Sequence, residues 1–142
     1  GNLGTMMRTS EGAGVTGVLL SRGCVDIYNP KTVQATMGAI SRVNIYYVDL
    51  PQFLSSMEKS IPVYGTFLDG LNIYSRELDN GTEAPAMIVI GNESDGISDS
   101  MAGLVSDRLY IPPFPAGQPG SESLNAAVAT ALTVAEFRRR TY

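Results

Sequence analysis

Two short apolar runs in the last part of the chain end in loops that leave few choices of fold. Residues 86–90, Ala-Met-Ile-Val-Ile, turn at once into Gly91-Asn92-Glu93-Ser94-Asp95-Gly96, and residues 109–111 run straight into Pro112 and Pro113. A Gly/Pro/Ser-rich loop follows the prolines, and an amphipathic helix begins near Ser123. Two strands thus end in two loops, and the second loop delivers a helix N-terminus. Loops at the carboxyl ends of strands are where open α/β sheets bind ligands.

The upstream chain supplies partners for those strands. Asn2 is placed as the cap of a first helix carrying Leu3, Met6 and Met7, which Gly12 and Gly14 stop. Residues 15–20 form a β-branched apolar run that reads as a buried strand. Asn29-Pro30 starts a helix, with Val33, Met37 and Ile40 on its buried face. Residues 44–48 are the next strand, and Asp49-Leu50-Pro51-Gln52 opens a helix that turns Phe53, Leu54 and Met57 inward. Residues 61–67 read as a strand running into the polar turn Leu68-Asp69-Gly70, and residues 72–74 as a short strand or edge segment. Residues 78–85 form a loop, and a helix is predicted near residues 98–108 with Met101, Leu104 and Val105 inside. The last helix, residues 123–139, has Leu124, Val128, Leu132 and Ala135 as its expected buried stripe. Strands alternate with helices and no hairpin signal joins them, so the pattern predicts a mainly parallel sheet flanked by helices in a single α/β domain.

Composition narrows the chemistry. The 142 residues are 44% hydrophobic and 17% charged, enough for a real core, and no apolar run approaches the roughly 20 residues of a membrane span. There is no histidine, which removes Ser-His-Asp and Cys-His catalysis and the commonest metal ligand, so no metal is expected. The single cysteine, Cys24, reads as a small apolar filler in a reducing compartment. A net charge of −4 argues against a chain-wide nucleic-acid surface. Basic charge is nevertheless concentrated at Arg138-Arg139-Arg140, read either as a complement to a helix C-terminus or as an RNA contact.

The residues that carry chemistry are ambiguous one by one. The loop from Gly91 to Gly96 lacks both the dinucleotide and the P-loop fingerprints. Its glycines suit a sharp strand-to-helix turn, and Glu93 and Asp95 suit either solvation or acid/base work. Ser123-Leu124-Asn125 suits a helix start, and such an N-terminus also offers N–H groups to a polar ligand. Arg8, three residues before Glu11, suits a surface ion pair or a bidentate phosphate contact.

Together and in order, these segments resemble one family. Asn2-Leu3-Gly4-(x)3-Arg8-Thr9 resembles the first motif of the SpoU-type (TrmH-like) RNA ribose 2′-O-methyltransferases of the SPOUT superfamily. Ile88-Val89-Ile90-Gly91-Asn92-Glu93-(x)2-Gly96-Ile97 is similar to the second motif. Ile111-Pro112 followed by Ser123-Leu124-Asn125-Ala126-Ala127-Val128-Ala129 is similar to the third.

The resemblance implies an α/β sheet closed by a C-terminal deep trefoil knot, with S-adenosylmethionine held bent in the knot by backbone groups. Carried onto this sequence, the cofactor contacts fall at Gly91, Ile111 and Leu124, with Thr66 on the adenosine side. Arg8 is then the residue associated with activating the ribose hydroxyl, and Asn2, Glu93, Ser123 and Asn125 are the other polar active-site positions. The resemblance also implies a tRNA or rRNA substrate, a cytoplasmic setting, and a homodimer to which the last helix contributes, so that Leu132, Val134 and Phe137 need not all face the chain's own core. The chain opens at the first motif, which implies a catalytic domain lacking the family's first strand and any N-terminal RNA-binding domain. The segment 113–122 is longer than in typical relatives and rich in proline. The competing readings are a non-catalytic knotted RNA-binding or dimerisation module, and a knotted methyltransferase acting on an RNA base.

Overall fold

A computed structural model describes residues 6, 17–21, 44–78, 86–91, 96–113 and 124–140, with backbone alone for 17–21 and 44–48. The chain forms two compact units, Gly1–Ser56 and Met57–Tyr142. In the first, strand β1 (Gly17–Ser21) pairs in parallel with β2 (Asn44–Val48), in register from Gly17 opposite Asn44 to Ser21 opposite Val48. Helix α1 (Leu50–Ser56) follows β2 directly. Asp49 caps it as the sequence predicts, its carboxylate accepting from the Gln52 N–H at 3.1 Å while its carbonyl accepts from Phe53. Leu54 is buried on this helix, but Phe53, expected inward, is exposed. Met6 is helical and half-buried. The remainder of the first predicted helix, Cys24 and the helix predicted from Asn29-Pro30 lie outside the described residues.

The second unit contains a three-stranded sheet. Strand β3 (Val63–Asn72) lies between β4 (Met87–Val89) and β5 (Asp107–Tyr110), and both pairings are parallel. Val63, Tyr64 and Gly65 are buried, as the middle strand of a sheet covered on both faces must be. Helix α2 (Asp99–Ala102) precedes β5, and helix α3 (Ala126–Arg139) ends the described chain. Tyr64, Ile73, Leu78, Leu109 and Phe137 form the core, with Ala86, Ile88 and Ile111 packed against it. The Tyr64 and Phe137 rings meet edge to face at 5.0 Å, which joins α3 to the sheet.

Three expectations are corrected here. The helix predicted near residues 98–108 is only four residues long; Ser98 caps its start and Gly103 its end. The Ser106 N–H then donates to the Val63 carbonyl at 2.8 Å, and Asp107 and Arg108 pair with Tyr64 and Gly65, so the sheet ladder takes residues that local propensity assigns to a helix. Strand β5 consequently starts two residues before the predicted strand. Of the edge segment foreseen at residues 72–74, Asn72 is the last residue of β3, opposite Tyr110, and Ile73 and Tyr74 begin the turn that follows, with the Ile73 N–H bonded to the Tyr110 carbonyl.

The third correction concerns α3. Its expected inner stripe is its outer one: Leu124, Val128 and Leu132 are 42%, 46% and 39% exposed, and Ala135 is exposed as well. The buried side is Ala126, Ala127, Ala129, Thr130, Thr133, Val134, Glu136 and Phe137. Small side chains let a helix backbone approach its support closely, and Thr130 settles its hydroxyl on the Ala126 carbonyl at 2.8 Å. Of the three residues that a dimer would free from the core, Leu132 is exposed whereas Val134 and Phe137 are buried.

The C-terminal end of α3 is fastened by charge. Glu136 is 5% exposed, accepts two hydrogen bonds from Arg139 at 2.9 and 2.7 Å, and accepts one from Arg140 Nε at 2.8 Å. Arg140 also donates to the carbonyls of Arg76 and Ile73, which ties the helix end to the turn after β3. Arg139, opposed by burial and assisted by Arg140, holds the Glu136 carboxyl at about 2. A depressed folded-state value stabilises the fold above the ordinary glutamate range, and that contribution disappears as pH falls from about 4.5 to about 2. Because the Arg139 side chain is two-thirds exposed and its pairing is screened by solvent, the shift corresponds to about 1–2 kcal/mol. Glu136→Gln is therefore expected to lower the unfolding free energy by about that amount at pH 7 and to flatten its fall between pH 4.5 and 2. Urea titrations at a series of pH values check this; parallel curves for both proteins would refute it.

Candidate functional site

The register of the second unit gathers three of the predicted cofactor positions. Gly65 stands opposite Val89 and Thr66 opposite Leu109; Gly91 lies two residues beyond the end of β4 and Ile111 just beyond that of β5, while Thr66 ends the first run of β3–β5 pairing. Successive strands β4 and β5 flank β3 on opposite sides, the reversal of order that opens a crevice at the carboxyl edge of such sheets. All three residues are half-buried. The Ile111 side chain packs on the core, which leaves its backbone as the part able to meet a ligand.

Gly91 is required by a close approach of backbone. A Cβ there would lie 2.2 Å from the Gly96 carbonyl carbon, 2.5 Å from its oxygen and 2.4 Å from the Ile97 nitrogen. Gly96 itself has φ of +66°, in the left-handed region that favours glycine. The two glycines thus close the turn after β4 upon itself. Glu93, between these glycines in sequence, lies outside the described residues, and so do Asn2, Arg8 and Ser123.

Leu124 and Asn125 stand at the start of α3. Asn125 caps the helix, its side-chain oxygen accepting from the N–H groups of Ala127 at 2.9 Å and Val128 at 3.3 Å. Leu124, just before the cap, is exposed. Of the C-terminal arginine cluster, Arg139 and Arg140 are engaged with Glu136, which gives these two a structural role at the helix end.

One group at this edge was not foreseen. Between Thr66 and Leu71, both opposite Leu109, residues 67–70 bulge out of the β3–β5 ladder. The Arg108 guanidinium lies 3.7 Å over the Phe67 ring and donates to Asp69 Oδ1 from Nη2 at 2.8 Å and from Nε at 3.3 Å. That hydrogen bond holds the Asp69 carboxyl below its ordinary value. No local signal marks this group, because Arg108 meets partners on β3 about forty positions earlier in the chain. Among the described residues no group of three or more His, Cys, Asp or Glu is gathered to hold a metal, and no helix is long and apolar enough to cross a membrane.

Known proteins resemble this chain in sequence and fold. Residues 1–135 match the SpoU rRNA Methylase family. The 23S rRNA (guanosine(2553)-2′-O)-methyltransferase RlmP of Bacillus subtilis is 33% identical over 97% of this chain and 53% of its own length. Among solved structures, a TrmH-family protein from Porphyromonas gingivalis is 43% identical with a TM-score of 0.87, over 98% of this chain and 55% of its own. The AdoMet-bound rRNA methyltransferase from Sinorhizobium meliloti is 30% identical with a TM-score of 0.84, over 99% and 52%. The chain spans about half the length of these relatives.

Proposed function

Because this chain belongs to the SpoU rRNA methylase family, we propose that it transfers a methyl group from S-adenosylmethionine to a ribose 2′-hydroxyl of ribosomal or transfer RNA. The observation that carries the reading is the register that brings Gly91 and Ile111, just past the ends of β4 and β5, to either side of β3 near Thr66, where its first run of pairing with β5 ends. The close turn that Gly91 makes against Gly96 and Ile97, and the Ile111 side chain turned to the core, suit a cofactor held by main-chain groups. When bound, S-adenosylmethionine supplies an electrophilic methyl on a sulfonium sulfur.

In this reading Arg8 holds an RNA phosphate and stabilises the negative charge that develops on the attacking hydroxyl oxygen. It is too basic to be an ordinary proton acceptor at neutral pH. Glu93 fixes the cofactor loop, Asn2 serves as a further polar active-site group, and Ser123 and Asn125 orient loops and hydroxyls. The cap made by Asn125 is consistent with a loop-fixing role. The proposal includes the C-terminal knot, action in the cytoplasm without a metal, and a homodimer. The exposed row of Leu124, Val128 and Leu132 supports a second copy packed along α3.

Calorimetric titration of the protein with S-adenosylmethionine and S-adenosylhomocysteine, with its mass followed by light scattering, tests the proposal. Saturable binding near one ligand per chain in a dimer is the expected result. A folded dimer that binds neither compound would favour a non-catalytic knotted module.

A further inference from the structure

The segment 67–70 leaves the sheet and returns to it opposite the same residue, Leu109, and it begins next to Thr66. Such an extrusion has lost its ladder hydrogen bonds and needs other restraints to keep one shape. The structure supplies them from β5. Arg108 stacks on Phe67 and bonds Asp69, so one side chain grips the loop on both sides of Leu68. Gly70 then returns so close to β5 that an added Cβ would lie 2.4 Å from the Leu109 carbonyl carbon and 2.5 Å from its oxygen. Leu68, between the two gripped residues, is 63% exposed. Neither the stacking nor the hydrogen bond is needed to build the core, because Arg108 points away from buried Leu109.

We propose that Arg108 is a positioning residue that holds the loop 66–70 in one shape and thereby sets the affinity for the cofactor without taking part in methyl transfer. This rests on the reading of Thr66 as the adenosine side of the site. An ordered loop does not have to be ordered again by its ligand, so loosening it weakens binding while leaving the reacting groups alone. Lysine would keep the charge but lose the planar group that stacks and the forked donors that meet the carboxylate.

The test compares Arg108→Ala, Arg108→Lys, Asp69→Asn and the Arg108→Ala/Asp69→Asn double variant with the parent protein. Without cofactor, amide hydrogen exchange at residues 67–71 is expected to quicken about threefold or more in Arg108→Ala, with exchange in the core strands unchanged. The dissociation constant and KM for S-adenosylmethionine are expected to rise about three- to tenfold, with kcat at saturation held within about twofold. Arg108→Lys should recover part of the loss, and the double variant should be little worse than Arg108→Ala. Unchanged exchange would overturn the clamp. Faster exchange with unchanged affinity would overturn its link to the cofactor, as would a fall in kcat equal to the rise in KM. If the parent protein itself binds no S-adenosylmethionine, the reading of the site fails and the link to affinity fails with it, while the exchange comparison separately decides the clamp.

Discussion

Arg8→Ala is expected to slow methyl transfer about 10²- to 10³-fold while changing the affinity for S-adenosylmethionine by less than about twofold. The expectation follows from the charge balance of the proposed reaction. A ribose hydroxyl is a weak nucleophile, and negative charge grows on its oxygen as the proton leaves and the methyl arrives. A guanidinium facing that oxygen and an adjoining phosphate interacts more strongly with the transition state than with the resting hydroxyl, which is the condition for an effect on rate. Arg8→Lys should retain only part of the activity, since an ammonium lacks the planar two-point grip on phosphate. Single-turnover transfer of radiolabelled methyl to unmodified ribosomal and transfer RNA transcripts, at saturating cofactor, reads the effect. A folded Arg8→Ala protein with unchanged transfer would sink the assignment.

Gly91→Ala is the second large effect expected. Its Cβ would press on backbone atoms at 2.2–2.5 Å, and backbone, unlike the end of a flexible side chain, cannot swing aside. The turn after β4 would have to open, with a loss of about 3 kcal/mol or more in stability and a fall of about a hundredfold or more in cofactor affinity. Two other glycines calibrate the claim. Gly103→Ala meets nothing closer than 3.9 Å at ordinary helical angles and should be nearly neutral. Gly96→Ala has open space but a φ of +66°, so it should lose only the roughly 1–2 kcal/mol of left-handed strain. Thermal unfolding and calorimetry on the three variants check the ranking. Equal behaviour of Gly91→Ala and Gly103→Ala would refute the close-contact explanation.

The turns and caps that frame the candidate site are legible in the sequence, because their markers are local. Gly91 and Gly96, Pro112 and Pro113, and Asn125 punctuate the backbone through steric limits and side-chain caps that act within a few residues. The same holds for Asp49 at the start of α1. The Arg108 clamp was not legible, since its partners Phe67 and Asp69 lie about forty positions earlier. Nor was Glu136: an Arg-rich helix end looks like solvated charge until burial and the carbonyls of Ile73 and Arg76 are seen beside it.

The sequence by itself determined the alternation of strands and helices, the parallel pairing it implies, the glycines and caps at the strand ends, and the family. Tertiary structure alone decided which side of α3 faces inward, where α2 yields to β5, and how residues 67–70 leave the sheet. The physical reason is one of range. Turn and cap preferences are settled by neighbouring dihedral angles, whereas the choice between a large aliphatic face and a small alanine and threonine face depends on what comes to lie against the helix. Here the closer approach allowed by Ala126, Ala129 and Thr133 prevailed, and the large side chains Leu124, Val128 and Leu132 were left outside.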